Sequence, residues 1–182
     1  MKRLFIAISF PSDIVEELAA LQFGLRGAKW VPPQNFHVTL SFIGDVSIVA
    51  LDNIIEMLRD LRSFPFCIKL QGINHFSSAG RGRSVWGNVT DKTALSILQK
   101  KIKNCLLRNN VSQDKREFNP HVTLAKLKNA RPEDVAGFIQ FNNLFKTRSF
   151  LIESFTLFES IKQRDSSVYS PIEEFQLVHS VQ

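Results

Sequence analysis

NFHVTLSFIG at residues 35–44 returns as NPHVTLAKLK at residues 119–128, and this pair of stretches decides how the chain is read. The chain holds four histidines, and two of them, His37 and His121, are each followed by Val-Thr-Leu and preceded two positions earlier by asparagine. A match this specific within one chain marks an internal repeat. Read as strands with a side-chain period of two, the first copy turns Phe36, Val38, Leu40 and Phe42 to the core and His37, Thr39 and Ser41 to the other face. The second copy turns Val122 and Leu124 inward and His121 and Thr123 outward together with Ala125. Each copy therefore presents one imidazole beside one hydroxyl, and two such strands in related halves set two His-Thr pairs across a cleft.

The flanks extend the pattern. Residues 4–10 have the apolar, β-rich character of a core strand. Asp13 and Glu16 form a capping-box-like start, with Ser12 as another possible cap, for a helix whose Ile14, Leu18, Leu21 and Leu25 face inward and which ends near Gly27. Pro32 and Pro33 break the chain before the strand at 36–43, and a helix follows over 48–61 with Leu51, Ile54, Ile55 and Leu58 buried. Strands at 66–73 and 84–89 flank the loop SSAGRGR. Asp91 caps a long helix with Leu95, Leu98, Ile102, Cys105 and Leu106 inside, while its lysines and Arg108 form a solvated face. A strand begins near His121, Pro132 opens a short helix, and strands run over 150–159 and 175–181. The expected fold class is α+β: one domain over 1–182, made of two similar lobes, each a sheet backed by helices, around a central cleft.

Composition narrows the class of function. The net charge of +6 and pI near 9.6 favour anionic partners without naming one. Cys67 and Cys105 read as small buried hydrophobes of a reducing compartment. The opening MKRLFIAISFP resembles a signal peptide only superficially; the run stops at Pro11 and leads into Asp13, Glu16 and Glu17, so a strand is the better reading. No apolar stretch approaches the roughly 20 residues that span a bilayer, and a cytoplasmic monomer is expected.

Two His-Thr pairs suit phosphoryl chemistry. Opening a cyclic phosphodiester needs a base for the water proton and an acid for the departing ribose oxygen, on opposite sides of phosphorus because attack is in line. Histidine, with a reference pKa near 6.5, can serve as either, and threonine hydroxyls can bind the non-bridging oxygens. A zinc site would need a third protein ligand; His75 and His179 are unaligned with the repeat and neither HVTL contains an acid, so no metal or other cofactor is expected. Arg81 and Arg83 in the hairpin loop, and Lys126 after the second motif on the inward-reading phase, are candidate nucleotide contacts. Trp30, Phe42, Trp86 and Tyr169 could stack a base, though aromatic residues are first of all core material. No phosphate-binding glycine loop or dinucleotide fingerprint is present.

With RLFIAISFP, WVPPQNFHVTLSFIG, RGRSVWGNV, FNPHVTLAK, FTLFES and VYSPIEEFQL, the chain resembles the 2H phosphoesterase superfamily over nearly its whole length. Within it, the likeness is to the bacterial RNA 2′,3′-cyclic phosphodiesterase family, also called 2′-5′ RNA ligase. The resemblance implies a LigT-like bilobal fold of antiparallel sheets with His37 and His121 facing each other. It implies that His121 activates water, that His37 protonates the 3′ oxygen to leave a 2′-phosphate, and that Thr39 and Thr123 hold the phosphate. It also implies ATP-independent 2′-5′ joining of RNA ends by the reverse reaction. The expected partner is an RNA with a 2′,3′-cyclic end or a small cyclic nucleotide. Lys126 stands where the family often has arginine, and lysine cannot make a bidentate contact; Arg83 matches a commonly basic position. Two other readings remain open: a 2′-5′ phosphodiesterase, and a nucleotide-binding module without catalysis.

Overall fold

The structure, a computed structural model, describes residues 1–78, 81–112, 117–163 and 167–178, with only the backbone described at 78, 81 and 82. In chain order it runs β1 (Lys2–Ile8), α1 (Ser12–Ala19), β2 (Ala28–Trp30), a 3-10 turn (Pro33–Asn35), β3 (Val38–Val46), α2 (Ile48–Arg59), β4 (Phe66–Ser78) and β5 (Arg81–Thr90). It continues with α3 (Lys92–Arg108), β6 (His121–Leu127), α4 (Pro132–Phe141), β7 (Phe150–Ile152), β8 (Ser154–Lys162) and β9 (Ser167–Gln176). The strands form two antiparallel sheets, ordered β3-β1-β8-β9 and β2-β6-β5-β4-β7. The α+β expectation holds, with β3 and β6 approaching each other between the sheets. Leu4, Ile6 and Ile8 of β1 and Val122 and Leu124 of β6 all lie within a continuous apolar core that also takes Leu95, Leu98 and Ile102 of α3.

Several local expectations are corrected. The first helix stops at Ala19 rather than near Gly27, because the chain closes into tight turns at Leu21 to Phe23 and then reverses at Gly24 (φ +73°) and Gly27 (φ +75°). Asp13 does not cap that helix: its carboxylate lies 2.7 Å from Arg148 Nε, and the cap position belongs to Pro11. Asp91 sits in the left-handed region at φ 57° and makes no side-chain cap. The single strand expected at 150–159 is two strands in different sheets, divided at Glu153, and the last strand begins earlier, at Ser167. Cys67 is exposed, on the outward phase of β4, and only Cys105 is partly buried.

Two features of strand pairing place the site. In β3, Thr39 faces Ala7 and Ser41 faces Ile6, so Leu40 is an extra residue, a β-bulge; Ile43 is a second one, between Phe42 opposite Phe5 and Gly44 opposite Leu4. In β6, Thr123 faces Trp86 and Ala125 faces Val85, so Leu124 is likewise extra. Each bulge resets the alternation after the motif's leucine. Ser41 and Ala125 turn into the core at 8% and 0% exposure, whereas Phe42 (47% exposed) and Lys126 turn out. The unbroken period of two had put Phe42 and Lys126 inward and Ser41 and Ala125 outward.

Gly27 joins β2 to its neighbour at close range, with the Lys128 N–H donating to the Gly27 carbonyl at 2.7 Å. A Cβ at Gly27 would lie 2.5 Å from the Lys128 carbonyl oxygen and 2.9 Å from the Ala130 nitrogen, both backbone atoms that cannot swing aside. Adding the positive φ, Gly27→Ala is expected to cost about 3 kcal/mol and lower the melting temperature by roughly 6–12 °C. A melt within 2 °C or so of the parent would show that the strand pair slides freely here.

Candidate functional site

The twin motifs fix their histidines by the same device. The carbonyl of Asn35 lies 2.7 Å from His37 Nδ1, and that of Asn119 lies 2.7 Å from His121 Nδ1. A carbonyl only accepts, so Nδ1 carries the proton in both rings and Nε2 is the atom left to gain and lose one. His37 Nε2 is 3.0 Å from Thr39 Oγ1, which donates to it while the ring is neutral. The Asn35 side chain is itself anchored, donating from Nδ2 to the Ser167 carbonyl of β9 at 3.0 Å. The 3-10 turn before β3 thus ties the first histidine to the opposite edge of its sheet.

Aromatic rings hold each imidazole. Phe5 packs against His37 at 5.1 Å between centroids, and Tyr169 meets the ring edge-on at 5.2 Å. Phe5 also stacks on Phe158 and touches Phe42, so four strands contribute to one aromatic cluster. His121 is met edge-on by Phe76 at 5.0 Å and tilted by Trp86 at 5.5 Å, with Phe76 and Trp86 stacked on each other. Burial pushes the His37 pKa below its ordinary value, the Asn35 carbonyl opposes that, and positive charge on His121 adds to the lowering. The last effect means that the two rings sense each other's charge across the cleft.

His37, Thr39, His121 and Thr123 are all partly buried on the faces that the sequence assigned them. Phe42 and Tyr169 join the His37 side, lining one cavity with His37 itself. Lys126 is exposed, opposite Ser84 of β5, in phase with Thr123 through the bulge. Arg81 and Arg83 belong to β5 rather than to a loop; Arg83 is exposed and is itself a bulged residue, between Gly82 opposite Ser77 and Ser84 opposite Phe76, and the Arg81 side chain lies outside the described residues. Trp30 is partly buried against Phe138 of α4, and Trp86, at 6% exposure, is not open for stacking a base. His75 is exposed on β4, and His179 lies outside the described residues. Among the described residues no group of three or more His, Cys, Asp or Glu could hold a metal ion, and no helix is long and apolar enough to cross a membrane.

Sequence reasoning missed Phe5, Phe76, Asn35 and Asn119. The asparagines were visible as the first letter of the repeat, but they act on the histidines through main-chain oxygens, which every residue owns. Phe5 and Phe76 reach the rings from other strands, and only the pairing reveals them.

Because burial lowers the His37 pKa, its protonation opposes folding. The unfolded chain takes up that proton near pH 6.5 while the native chain resists, so stability present above pH 6.5 declines as pH falls through that value towards the lower native pKa. Melting wild type and His37→Asn, whose amide can still donate to the Asn35 carbonyl, between pH 7.5 and 5 should show a steeper loss in wild type. Parallel curves would mean that His37 titrates alike in both states.

Comparison with known proteins agrees with this geometry. The LigT like Phosphoesterase family model matches in two segments, residues 8–86 and 89–169, each containing one HVTL. The chain is 29% identical to an RNA 2′,3′-cyclic phosphodiesterase of Archaeoglobus fulgidus over 96% of its own length and 99% of the relative's. It is 34% identical to an RNA 2′,3′-cyclic phosphodiesterase of Aeropyrum pernix, over 84% of this chain and 88% of that one. Among solved structures, Escherichia coli LigT complexed with 3′-AMP superposes with a TM-score of 0.79 at 25% identity, covering 98% of this chain and 99% of that one. With the repeat, the two sheets and the family match spanning both halves, the chain belongs to the LigT-like phosphoesterase family.

Proposed function

We propose that the protein hydrolyses the 2′,3′-cyclic phosphate at the end of an RNA, or of a nucleoside, to the 2′-monophosphate. The observation that carries this reading is the pair of His-Thr units with both imidazoles held as Nδ1–H tautomers, leaving two Nε2 atoms for proton transfer. The names of the relatives, covered over 99% and 88% of their own lengths, support the substrate class.

In the proposed step, His121 Nε2 takes a proton from water as its oxygen bonds to phosphorus. The P–O3′ bond breaks on the far side, and the 3′ oxygen receives the proton from His37 Nε2. The product is a 2′-phosphomonoester with a free 3′-hydroxyl; proton exchange with solvent restores His37 to its charged form and His121 to its neutral one. Thr39 and Thr123 donate to the non-bridging oxygens, and Thr39 gives up its bond to His37 when the ring is protonated. Burial disfavours that protonated ring in the free protein, and the phosphodiester anion, once seated between the histidines, favours it. Reversal with a 5′-hydroxyl in place of water would form a 2′-5′ linkage, a secondary activity of the same groups.

The test is phosphorus NMR of the protein with a nucleoside 2′,3′-cyclic phosphate and EDTA. The expected product is the 2′-monophosphate, formed at an undiminished rate. A 3′-monophosphate would reverse the identity of the leaving oxygen. No turnover of mononucleotide or cyclic-ended oligoribonucleotide would leave a binding module, and faster cleavage of 2′-5′ linked oligonucleotides would make the protein a 2′-5′ phosphodiesterase.

A further inference from the structure

The two halves hold their histidines unequally. His121 is the first residue of β6 and sits on a ladder rung, opposite Asn88 of β5. His37 lies off the ladder: the β1-β3 rungs end with Ile8 opposite Val38, where β3 itself begins. β3 is also an edge strand, paired within its sheet with β1 alone. The repeated sequence therefore does not give the first imidazole the backbone support that the second receives.

The approach to His37 is held in two ways. Within the 3-10 turn, the Asn35 N–H donates to the Pro32 carbonyl at 2.8 Å and the Phe36 N–H to the Pro33 carbonyl at 3.0 Å, which sets the turn's internal shape. The Asn35 side chain then fixes the turn to a distant strand, Nδ2 donating to the Ser167 carbonyl at 3.0 Å. β1 and β8 lie between β3 and β9 in the sheet, so this bond joins strands that are not neighbours. Ser167 is on a rung, opposite Lys162, and Tyr169, two residues on in the same phase, is the ring that meets His37 edge-on. The main-chain carbonyl of the same asparagine accepts from His37 Nδ1 at 2.7 Å. The group that selects the Nδ1–H tautomer is thus fastened to the strand that flanks the imidazole.

We infer that the Asn35 side chain is a positioning residue for His37: by anchoring its own carbonyl to β9, it holds the ring as the Nδ1–H tautomer with Nε2 aimed at the departing 3′ oxygen. This rests on His37 being the acid of the proposed reaction. Asn35 touches no reacting atom and acts through the imidazole alone. In-line displacement requires the acid opposite the attacking water, and a displacement of about 1 Å is enough for a loss approaching 10²-fold.

Asn35→Leu keeps the bulk of the side chain and removes its donor. On a nucleoside 2′,3′-cyclic phosphate its kcat is expected to fall about 30-fold, with KM within about 3-fold of wild type. The discriminating substrate carries sulfur at the 3′ bridging position. Water oxygen bonds to phosphorus, His121 takes the proton, the P–S bond breaks, and sulfur leaves as a thiolate that needs no acid. There Asn35→Leu should come within about 3-fold of wild type, because a defect confined to the acid is bypassed. Asn35→Ala, which adds no bulk, should repeat the pattern, and each variant should melt no more than about 5 °C below wild type. An equal loss on both substrates would mean that Asn35 shapes the fold or the phosphate site and would overturn the assignment, as would an unchanged kcat on the oxygen substrate.

Nitrogen NMR of the imidazoles reads the same device without turnover. His37 should be the Nδ1–H tautomer in wild type and acquire Nε2–H character in both variants, with His121 unchanged. His37→Ala on the sulfur substrate is the control for the reaction itself. If that variant does not recover, or if no cyclic phosphate is opened, the acid role of His37 fails; the tautomer spectrum alone then decides the positioning, and an unaltered His37 ring in the Asn35 variants overturns it.

Discussion

Replacing His121 by alanine is expected to lower turnover of a nucleoside 2′,3′-cyclic phosphate by about 10³-fold, and replacing His37 to do the same, because in the proposed reaction each removes one of two proton transfers worth about 10²–10⁴ apiece. The two variants part company when the leaving group changes. If the 3′ bridging oxygen is replaced by sulfur, the group departs as a thiolate and has no need of an acid. His37→Ala should then recover to within about 10-fold of wild type on this substrate, whereas His121→Ala, still lacking its base, stays about 10³-fold down. Recovery of His121→Ala instead would exchange the two roles, and with them the side on which the ribose lies. Equal, unrecovered losses in both variants would mean that the rings act by electrostatics or positioning rather than by moving protons. Neither substitution should unfold the chain: both rings are partly exposed at the cleft, and their Nδ1 partners are main-chain carbonyls at the surface of the fold.

The site was more legible in the sequence than the path of the chain around it. The repeated HVTL states its own geometry, since apolar Val and Leu at alternate positions demand a buried face and leave His and Thr on the other. That argument works for the four residues of each HVTL and then fails, because Leu40 and Leu124 are bulged and a bulge has no signature in hydrophobic alternation: Ser41 and Ala125 are small enough to be buried, and Phe42 is apolar enough to be read as core. Only the partner strands reveal the reset. The same holds for caps. Asp13 and Asp91 are good capping residues by type, but Asp13 is engaged by Arg148, far along the chain, and Asp91 adopts a backbone conformation that directs its side chain away from the helix N–H groups. The stretch 150–159 reads as one strand because apolar residues continue on both sides of Glu153; the break is a change of sheet. Except at Asp91, where the departure lies in the backbone conformation, what the local pattern misses is a partner more than a few residues distant.

The threonines should give the second-largest effect. Thr39→Val and Thr123→Val keep the shape and β character of the side chain while removing the hydroxyl, and each is expected to lower kcat by about 10²-fold, the loss typical of one donor to a developing oxyanion. Their alignment in the repeat makes a sharper demand. In the proposed reaction the two hydroxyls approach the phosphate from opposite sides, and each serves one of its two non-bridging oxygens. Sulfur at a non-bridging position accepts a hydrogen bond poorly. In a cyclic phosphorothioate of one configuration the sulfur therefore lies against Thr39, and in the other against Thr123. Wild type should be slowed by both. Thr39→Val should lose little more on the diastereomer whose sulfur already faces the missing hydroxyl and its full ~10²-fold on the other, and Thr123→Val should show the opposite preference. Matching preferences in the two variants would place both hydroxyls on one oxygen and leave the other to a different donor, with Lys126, exposed on the same face of β6 as Thr123, the group to replace next.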